Sequence, residues 1–68
     1  MTLKQLRLSA GKSVKEVAEK LCVKISTYYN YEQGVRQINI RQVLLLSELF
    51  EEPAEEIIKA QLNSQYDR

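Results

Sequence analysis

The feature that most constrains the fold is residues 13–34, SVKEVAEKLCVKISTYYNYEQG, where apolar residues keep helical spacing on both sides of a single break at Cys22. Before the break, apolar or small residues recur at intervals of three and four: Val14, Val17, Ala18 and Leu21. After the break, the pattern continues through Val23, Tyr28 and Tyr31. The spacing predicts two short helices joined by a tight turn, with their apolar stripes packed against a third body.

The length and composition narrow the classes of function. Sixty-eight residues form one domain with a small core, so stability must come from economical helix packing or from self-association. With no histidine and one cysteine, the chain has no Cys/His dyad, histidine metal ligand or internal disulfide. We therefore expect a non-catalytic protein without metal, cofactor or small-molecule ligand. No apolar run approaches a membrane span and no signal peptide is visible, so we expect a cytoplasmic protein that does not contact membranes.

Charge is distributed unevenly, although the net charge is only +1. Up to Arg36 there are seven cationic and three acidic residues, whereas after Arg36 there are three cationic and six acidic residues. The half that carries the two-helix pattern is therefore the half suited to binding a polyanion.

Capping signals predict five helices. Three pairs of residues three apart read as capping boxes at helix starts: Thr2 with Gln5, Ser13 with Glu16 and Asn39 with Gln42. Gly11 and Gly34 can close the first and third helices, and Pro53 can occupy the first position of the fifth. The chain is thus predicted to be all-α, with helices over 3–10, 14–21, 25–33, 40–50 and from 53 onward. We expect one domain, residues 1–62, and a polar C-terminal tail, residues 63–68.

Helical spacing also predicts which side chains face inward. In the fourth and fifth helices the predicted inward residues are Ile40, Val43, Leu44, Leu46, Ser47, Phe50, Ile57 and Ile58. Leu45 and Leu49 are left undecided between core and surface. Tyr28 and Tyr31 are expected in the core, with hydroxyl groups that reach the surface.

Several motifs together resemble one known family. They are G-x-S-x-x-x-V-A-x-x-L over 11–21, V-x-x-S-T-Y over 23–28, Y-E-Q-G over 31–34, and the order of five helices. Over roughly residues 2–58 the chain resembles the helix-turn-helix family of phage Cro and repressor proteins. The resemblance implies a compact lambda repressor-like DNA-binding domain, with the helix-turn-helix at helices two and three. It also implies that the third helix enters the major groove of double-stranded DNA, and that two copies bind a palindromic operator.

By this resemblance, the positions that face the groove are Ile25, Ser26, Tyr29 and Asn30. An Asn amide matches adenine N6 and N7, Ser can donate or accept, and Ile can contact a thymine methyl group. Tyr29 can contact sugar or phosphate. The alternative is an ordinary solvated helix face. Residues that bracket the motif are candidates for phosphate contacts, with simple solvation as the alternative: Lys12, Lys15, Lys24, Arg36, Gln37 and Asn39.

The resemblance further implies an ion pair between Arg7 and Glu32, which would tie the first helix to the third. The alternative is that Arg7 binds phosphate and Glu32 is solvated. Three residues depart from the family pattern: Val14 stands where Gln is usual, Cys22 where Gly is usual, and Lys24 where a Ser or Thr cap is usual. A left-handed Cys22 would cost about 1 kcal/mol relative to glycine. These departures make the fold a firmer inference than the affinity for DNA.

Apolar residues in excess of a small core suggest how two copies could meet. Leu45, Leu49, Leu62 and Tyr66 are candidate contacts of a homodimer, and a thicker monomer core is the alternative. The leading hypothesis is a transcriptional regulator, most simply a repressor, that acts by occupying DNA. The rival is a protein-interaction module of the same fold, antitoxin-like or partner-docking, with Ile25 and Tyr29 in a protein interface. Cys22 is interpreted as an inert turn residue, with redox sensing as the lesser alternative.

Overall fold

A computed structural model describes the backbone of residues 1–66 and the side chains of residues 1–65. It contains five helices: α1 (Leu3–Ser9), α2 (Val14–Leu21), α3 (Ile25–Glu32), α4 (Ile40–Phe50) and α5 (Ala54–Tyr66). No strand occurs in residues 1–66, so the predicted all-α, five-helix architecture is confirmed. Helices α1 and α3 each end one residue earlier than predicted, and α5 begins at Ala54 instead of Pro53. None of these helices combines the length and apolar character needed to cross a bilayer.

The three predicted capping boxes are all formed. The side chains of Thr2, Ser13 and Asn39 each accept a backbone hydrogen bond at the start of α1, α2 and α4. At α2 the backbone amide of Ser13 donates to the Glu16 carboxylate, and this bond lowers the pKa of that carboxyl group. Helix α3 lacks such a cap, because Lys24 precedes it and makes no side-chain capping bond. Its position must therefore come from tertiary contacts.

Each of the first four helices is followed, one or two residues after its last residue, by a residue in the left-handed conformation: Gly11, Cys22, Gly34 and Glu51. At the end of α2, the Val23 amide donates to the Ala18 carbonyl over 3.0 Å, and the Cys22 amide donates to Glu19 over 3.1 Å. This pair of bonds satisfies two carbonyl groups that the helix end would otherwise leave free. The left-handed Cys22 was expected from the missing glycine, whereas nothing in the sequence marked Glu51.

The core is assembled from all five helices. Each contributes one large side chain with 0% exposure: Leu3, Val17, Tyr28, Leu46 and Ile57. The rings of Tyr28 and Tyr31 pack edge to face, with centroids 6.2 Å apart. Val43 and Phe50 are buried as predicted, and Ser47 is half-buried.

Three residues that were predicted to face inward are exposed instead. Ile40, Leu44 and Ile58 are 70%, 58% and 46% exposed. Helix α4 packs on α2 and α5, and its buried arc is centred on Val43, Leu46 and Phe50. Leu45 and Leu49 are half-buried and pack against the core from the edge of that arc. The stripe on α4 is therefore rotated relative to the prediction, and both undecided leucines contribute to the monomer core.

The end of α5 is fastened to the start of the chain. The Ser64 hydroxyl accepts a hydrogen bond from the Leu3 amide over 3.1 Å and donates to the Ala60 carbonyl over 2.9 Å. The Asn63 amide donates to the Met1 carbonyl. Helix α5 thus continues past residue 62, the last residue of the expected domain, and its residues 63 and 64 bond to the N-terminal segment.

Gly34 closes α3 against this part of α5, and its substitution tests how tightly the two are packed. A Cβ atom at Gly34 would lie 2.5 Å from the Ser64 carbonyl oxygen, whereas a Cβ atom at Gly11 would meet nothing within 4 Å. Both glycines have positive φ, +75° and +71°. We expect Gly11→Ala to lower the free energy of unfolding by about 1 kcal/mol through backbone strain alone, and Gly34→Ala to lower it by at least about twice as much. Urea unfolding of both variants measures the difference. Equal losses would show that α5 can move away from Gly34 at little cost.

Candidate nucleic-acid interface

Helices α2 and α3 and the turn between them form the two-helix unit that the sequence predicted. The helices pack directly on one another, and Ala18 is only 1% exposed. Val23, in the turn, is half-buried against the core. Tyr28, Tyr31 and Glu32 occupy the buried side of α3. The opposite side of α3 therefore faces outward, and the packing of the buried side holds it in position.

The outward side of α3 carries most of the predicted base-contacting residues. Ile25 and Tyr29 are 53% and 52% exposed, and Ser26 is also exposed. Their spacing of one, three and four residues places them on one helical face. Asn30 lies at the edge of this face and is half-buried. The structure thus brings three of the four residues together on the exposed face and the fourth beside it.

Gln33 is a polar residue on this face that the sequence interpretation missed. It is exposed at the C-terminal end of α3, four residues after Tyr29 and seven after Ser26, and therefore on the same side of the helix. Its amide can donate and accept like that of Asn30. The helical period would have found it, but we considered only the early residues of α3 as base readers.

The predicted phosphate-contacting residues surround α3 unevenly. Lys15 is exposed in the first turn of α2, Lys24 is exposed directly before α3, and Arg36 is exposed in the following loop. This loop is fixed to α3, because the Asn30 carbonyl accepts hydrogen bonds from the amides of Val35 and Arg36.

The other three candidates for phosphate contact have contacts within the domain. Lys12 is half-buried, and its carbonyl accepts from Arg7. Asn39 uses its side-chain oxygen to cap α4. Gln37, although exposed, lines a groove beside α5. Lys15, Lys24 and Arg36 therefore have the most freedom to meet an anion.

Arg7 and Glu32 meet in an almost fully buried ion pair. Arg7 Nε lies 2.6 Å from Glu32 Oε2, and the two side chains are only 9% and 2% exposed. Another guanidinium nitrogen donates to the Lys12 carbonyl over 3.0 Å. The hydrogen bond to the Glu32 carboxylate raises the pKa of Arg7 above its ordinary value. One side chain thus links α1, the loop after it and the end of α3, and neither residue is left free for the alternative role.

The two core tyrosines differ from the prediction at their hydroxyl groups, which do not reach the surface. The Tyr31 hydroxyl accepts a hydrogen bond from the buried Gln42 amide over 3.1 Å. Tyr28 is 0% exposed. Burial raises the pKa of its hydroxyl far above the ordinary value, and the nearby Glu32 carboxylate adds to this rise. The hydroxyls lie inside because α4 and the ion pair cover them, which helical spacing within α3 does not reveal.

Comparison with known protein families gave a match over most of the chain. Residues 3–57 match the family model described as Helix-turn-helix, which spans 55 of the 68 residues. This match confirms the resemblance to Cro and repressor proteins predicted from the sequence. Neither the curated proteins nor the solved structures gave a match.

The buried ion pair can be tested by removing one charge at a time. Glu32→Gln leaves the Arg7 guanidinium buried without a counter-charge, so we expect the free energy of unfolding to fall by about 3 kcal/mol. Replacing both partners, with Arg7→Met and Glu32→Leu, should cost less than Glu32→Gln, because no uncompensated charge remains. Urea unfolding measures each change.

Glu55 provides the matched control for this substitution. It pairs with Lys59 over 3.2 Å on the exposed side of α5, so Glu55→Gln should leave the free energy of unfolding almost unchanged. If Glu32→Gln were as mild as Glu55→Gln, the ion pair would not be a main support of the fold.

Proposed function

We propose that this chain, which belongs to the helix-turn-helix family, is a repressor that binds a palindromic DNA operator as a homodimer, with α3 in the major groove. The family consists of DNA-binding transcription regulators. The observation that carries the proposal is the division of α3 into two sides. One side holds Tyr28 and Tyr31 in the core, and the other exposes Ile25, Ser26 and Tyr29.

The chemistry of the exposed side suits the edges of A·T pairs. An asparagine amide at the groove can bond adenine N6 and N7 together, and an aliphatic side chain fits the methyl group of thymine. Asn30 and Ile25 supply these two groups. Helix α3 carries no arginine or lysine, the residues that most often read guanine. Ser26, Tyr29 and Gln33 complete the proposed reading surface.

We assign the positioning of α3 on DNA to the basic residues around it. Lys15, Lys24 and Arg36 are exposed on the elements that flank α3, where they would neutralise phosphates. Lys12, Gln37 and Asn39 would add weaker contacts, because Lys12 is half-buried, Gln37 lines a groove beside α5 and the Asn39 side-chain oxygen caps α4. In a two-fold dimer the two α3 helices would enter successive major grooves about 34 Å apart. Repression would follow from occupancy of the operator.

A second candidate function is the docking of a protein partner on the same side of α3. Ile25 and Tyr29 are both more than half exposed and lie four residues apart on one helical face. Aromatic and aliphatic side chains in such positions commonly anchor protein interfaces. The two functions differ in how binding responds to salt.

The dependence of binding on salt tests the proposed function. The affinity for duplex DNA should fall linearly on a log–log plot against salt concentration, with a slope of about −0.9 for each phosphate neutralised. Lys24→Ala should make the slope shallower by about 1 per subunit, whereas Lys59→Ala, on the exposed side of α5, should leave it unchanged. Fluorescence anisotropy with a labelled duplex gives both values. Absence of binding to any duplex at low salt would instead favour the protein-docking function.

A pair of alanine substitutions separates base reading from phosphate binding. Asn30→Ala should weaken binding to a duplex selected from a random library by about 1–3 kcal/mol, and should change binding to random duplex little. Lys15→Ala should weaken binding to both duplexes to a similar extent, because phosphate contacts carry no sequence information. Competition binding of each variant provides the comparison. Equal losses on both duplexes from Asn30→Ala would reject its role as a base reader.

A further inference from the structure

We propose that a groove between α5 and the loop that joins α3 to α4 binds a small uncharged molecule in which a carbonyl oxygen adjoins a short aliphatic chain. We call it the Gln61 groove. It is lined by three glutamines, Gln37, Gln61 and Gln65, and by aliphatic residues of the loop, α4 and α5. The inference goes beyond the proposed DNA-binding function and does not depend on it. It also differs from the expectation, drawn from composition, that the chain has no small-molecule ligand.

The Gln61 side chain is buried in the wall of this groove, and only one end of its amide has a partner. Gln61 is 7% exposed, and its oxygen accepts a hydrogen bond from the Ile38 amide over 3.0 Å. This bond fixes the orientation of the side-chain amide, because the reverse orientation would place two N–H groups against each other. The nitrogen has no hydrogen-bond partner among the described residues. A buried donor without a partner destabilises the fold, and an acceptor on a ligand removes that cost.

One other buried side-chain group lacks a hydrogen-bond partner within the described part of the chain. It is the Tyr28 hydroxyl, which lies in the core with the Glu32 carboxylate near it. Gln61 differs because it adjoins an open groove, from which a ligand can approach its amide. The amide nitrogen is a donor only, so the group that meets it must be an acceptor such as a carbonyl oxygen.

The rest of the lining selects a ligand that is aliphatic and uncharged. Four aliphatic side chains line the groove: Ile38, Val43, Ile58 and Leu62. No charged side chain belongs to the described lining, so an ion would lose its hydration there without gaining a counter-charge. The groove has a volume of about 200 Å³, which is below the usual range of sites for drug-sized ligands. We therefore expect a molecule with one carbonyl group and a few carbon atoms.

Access to the Gln61 amide depends on the side chains at the rim of the groove. The amide nitrogen is enclosed, so a ligand reaches it only after one of these side chains turns outward. Ile58 and Leu62 are 46% and 47% exposed, and Gln37 is also exposed. Exposed side chains change rotamer rapidly. We therefore expect the groove to open by rotamer changes alone.

Spacing along α5 could not reveal the Gln61 groove. Gln61 is held in the wall by its bond to Ile38, which lies 23 residues earlier in the chain. Leu62, which was expected as a dimer contact, lines the groove, whereas the side chain of Tyr66, another expected contact, lies outside the described residues. Of the residues assigned to DNA, only Gln37 lines the groove, so ligand binding and DNA binding can be measured separately.

Titration of the nitrogen-15-labelled full chain with 2-hexanone tests this site by nuclear magnetic resonance. This ketone has one acceptor, a short aliphatic chain and no donor. The side-chain amide protons of Gln61 should move downfield and saturate with a dissociation constant of about 1–10 mM, as ligand efficiency allows for so small a molecule. Hexanoate has the same chain length but carries a charge, and should bind at least about tenfold more weakly. Absence of a saturable change at Gln61, or equal binding of hexanoate, would overturn the proposal.

Two glutamate substitutions separate the buried donor from the charge that each introduces. Gln61→Glu keeps an oxygen for the Ile38 amide but removes the donor, and should raise the dissociation constant of 2-hexanone at least about fivefold. Gln65→Glu is the matched control, because it adds the same charge to the lining and leaves the Gln61 amide in place. It should leave the dissociation constant nearly unchanged. Equal effects of the two substitutions would reject Gln61 as the donor to the ligand.

A second pair of variants tests the aliphatic wall and keeps the proposal testable if Gln61→Glu does not fold. Leu62→Ala shortens one wall of the groove and should raise the dissociation constant of 2-hexanone about threefold. Leu8 on α1 is also about half exposed but does not line the groove, so Leu8→Ala should leave the constant unchanged. Circular dichroism establishes that both variants keep the helical fold. If both variants responded alike, the ketone would bind elsewhere and the Gln61 groove would be rejected.

Discussion

The ion pair between Arg7 and Glu32 is the interaction on which the arrangement of the domain depends. Its two side chains are almost fully buried, so the desolvation of both charges must be offset by close pairing and by further hydrogen bonds. Arg7 meets this requirement with both carboxylate oxygens of Glu32 and with the Lys12 carbonyl. These bonds can form together only when α1, the loop after it and the end of α3 are in place. The pair therefore specifies how α3 is oriented on the domain.

Helix α3 needs this support because its own ends supply little. No side chain caps its start, and the residue that closes α2 before it is a left-handed cysteine. Its stability comes instead from the burial of Tyr28 and Tyr31 and from close packing of Gly34 against α5. All of these contacts use one side of the helix. The side that carries Ile25, Ser26 and Tyr29 is therefore held in place without being used by the fold.

The sequence predicts the parts of the structure that depend on neighbours in the chain. Capping boxes located the starts of α1, α2 and α4, because each box is closed within four residues. The direction in which a side chain points was less predictable where it depends on the packing of several helices. Ile40 and Leu44 have helical spacing with Val43, but the partners of α4 decide which arc is buried. The buried Tyr31 hydroxyl likewise depends on Gln42, eleven residues away. At the candidate site, the period of α3 identified the outward side, while the half-burial of Asn30 and the contact of the Lys12 carbonyl with Arg7 required the fold.

The balance of charge explains why a dimer matters for the proposed function. The net charge is +1, and α3 contributes no cation of its own, so the electrostatic attraction of one domain to DNA is small. The only acidic residue of α3 is Glu32, and its pairing with Arg7 keeps that negative charge away from the outward side. The fold thus removes a repulsion between Glu32 and DNA without adding a strong attraction between α3 and DNA. Two domains joined in the proposed dimer would make the contact with the second half-site intramolecular, which raises the overall affinity without any new basic residue.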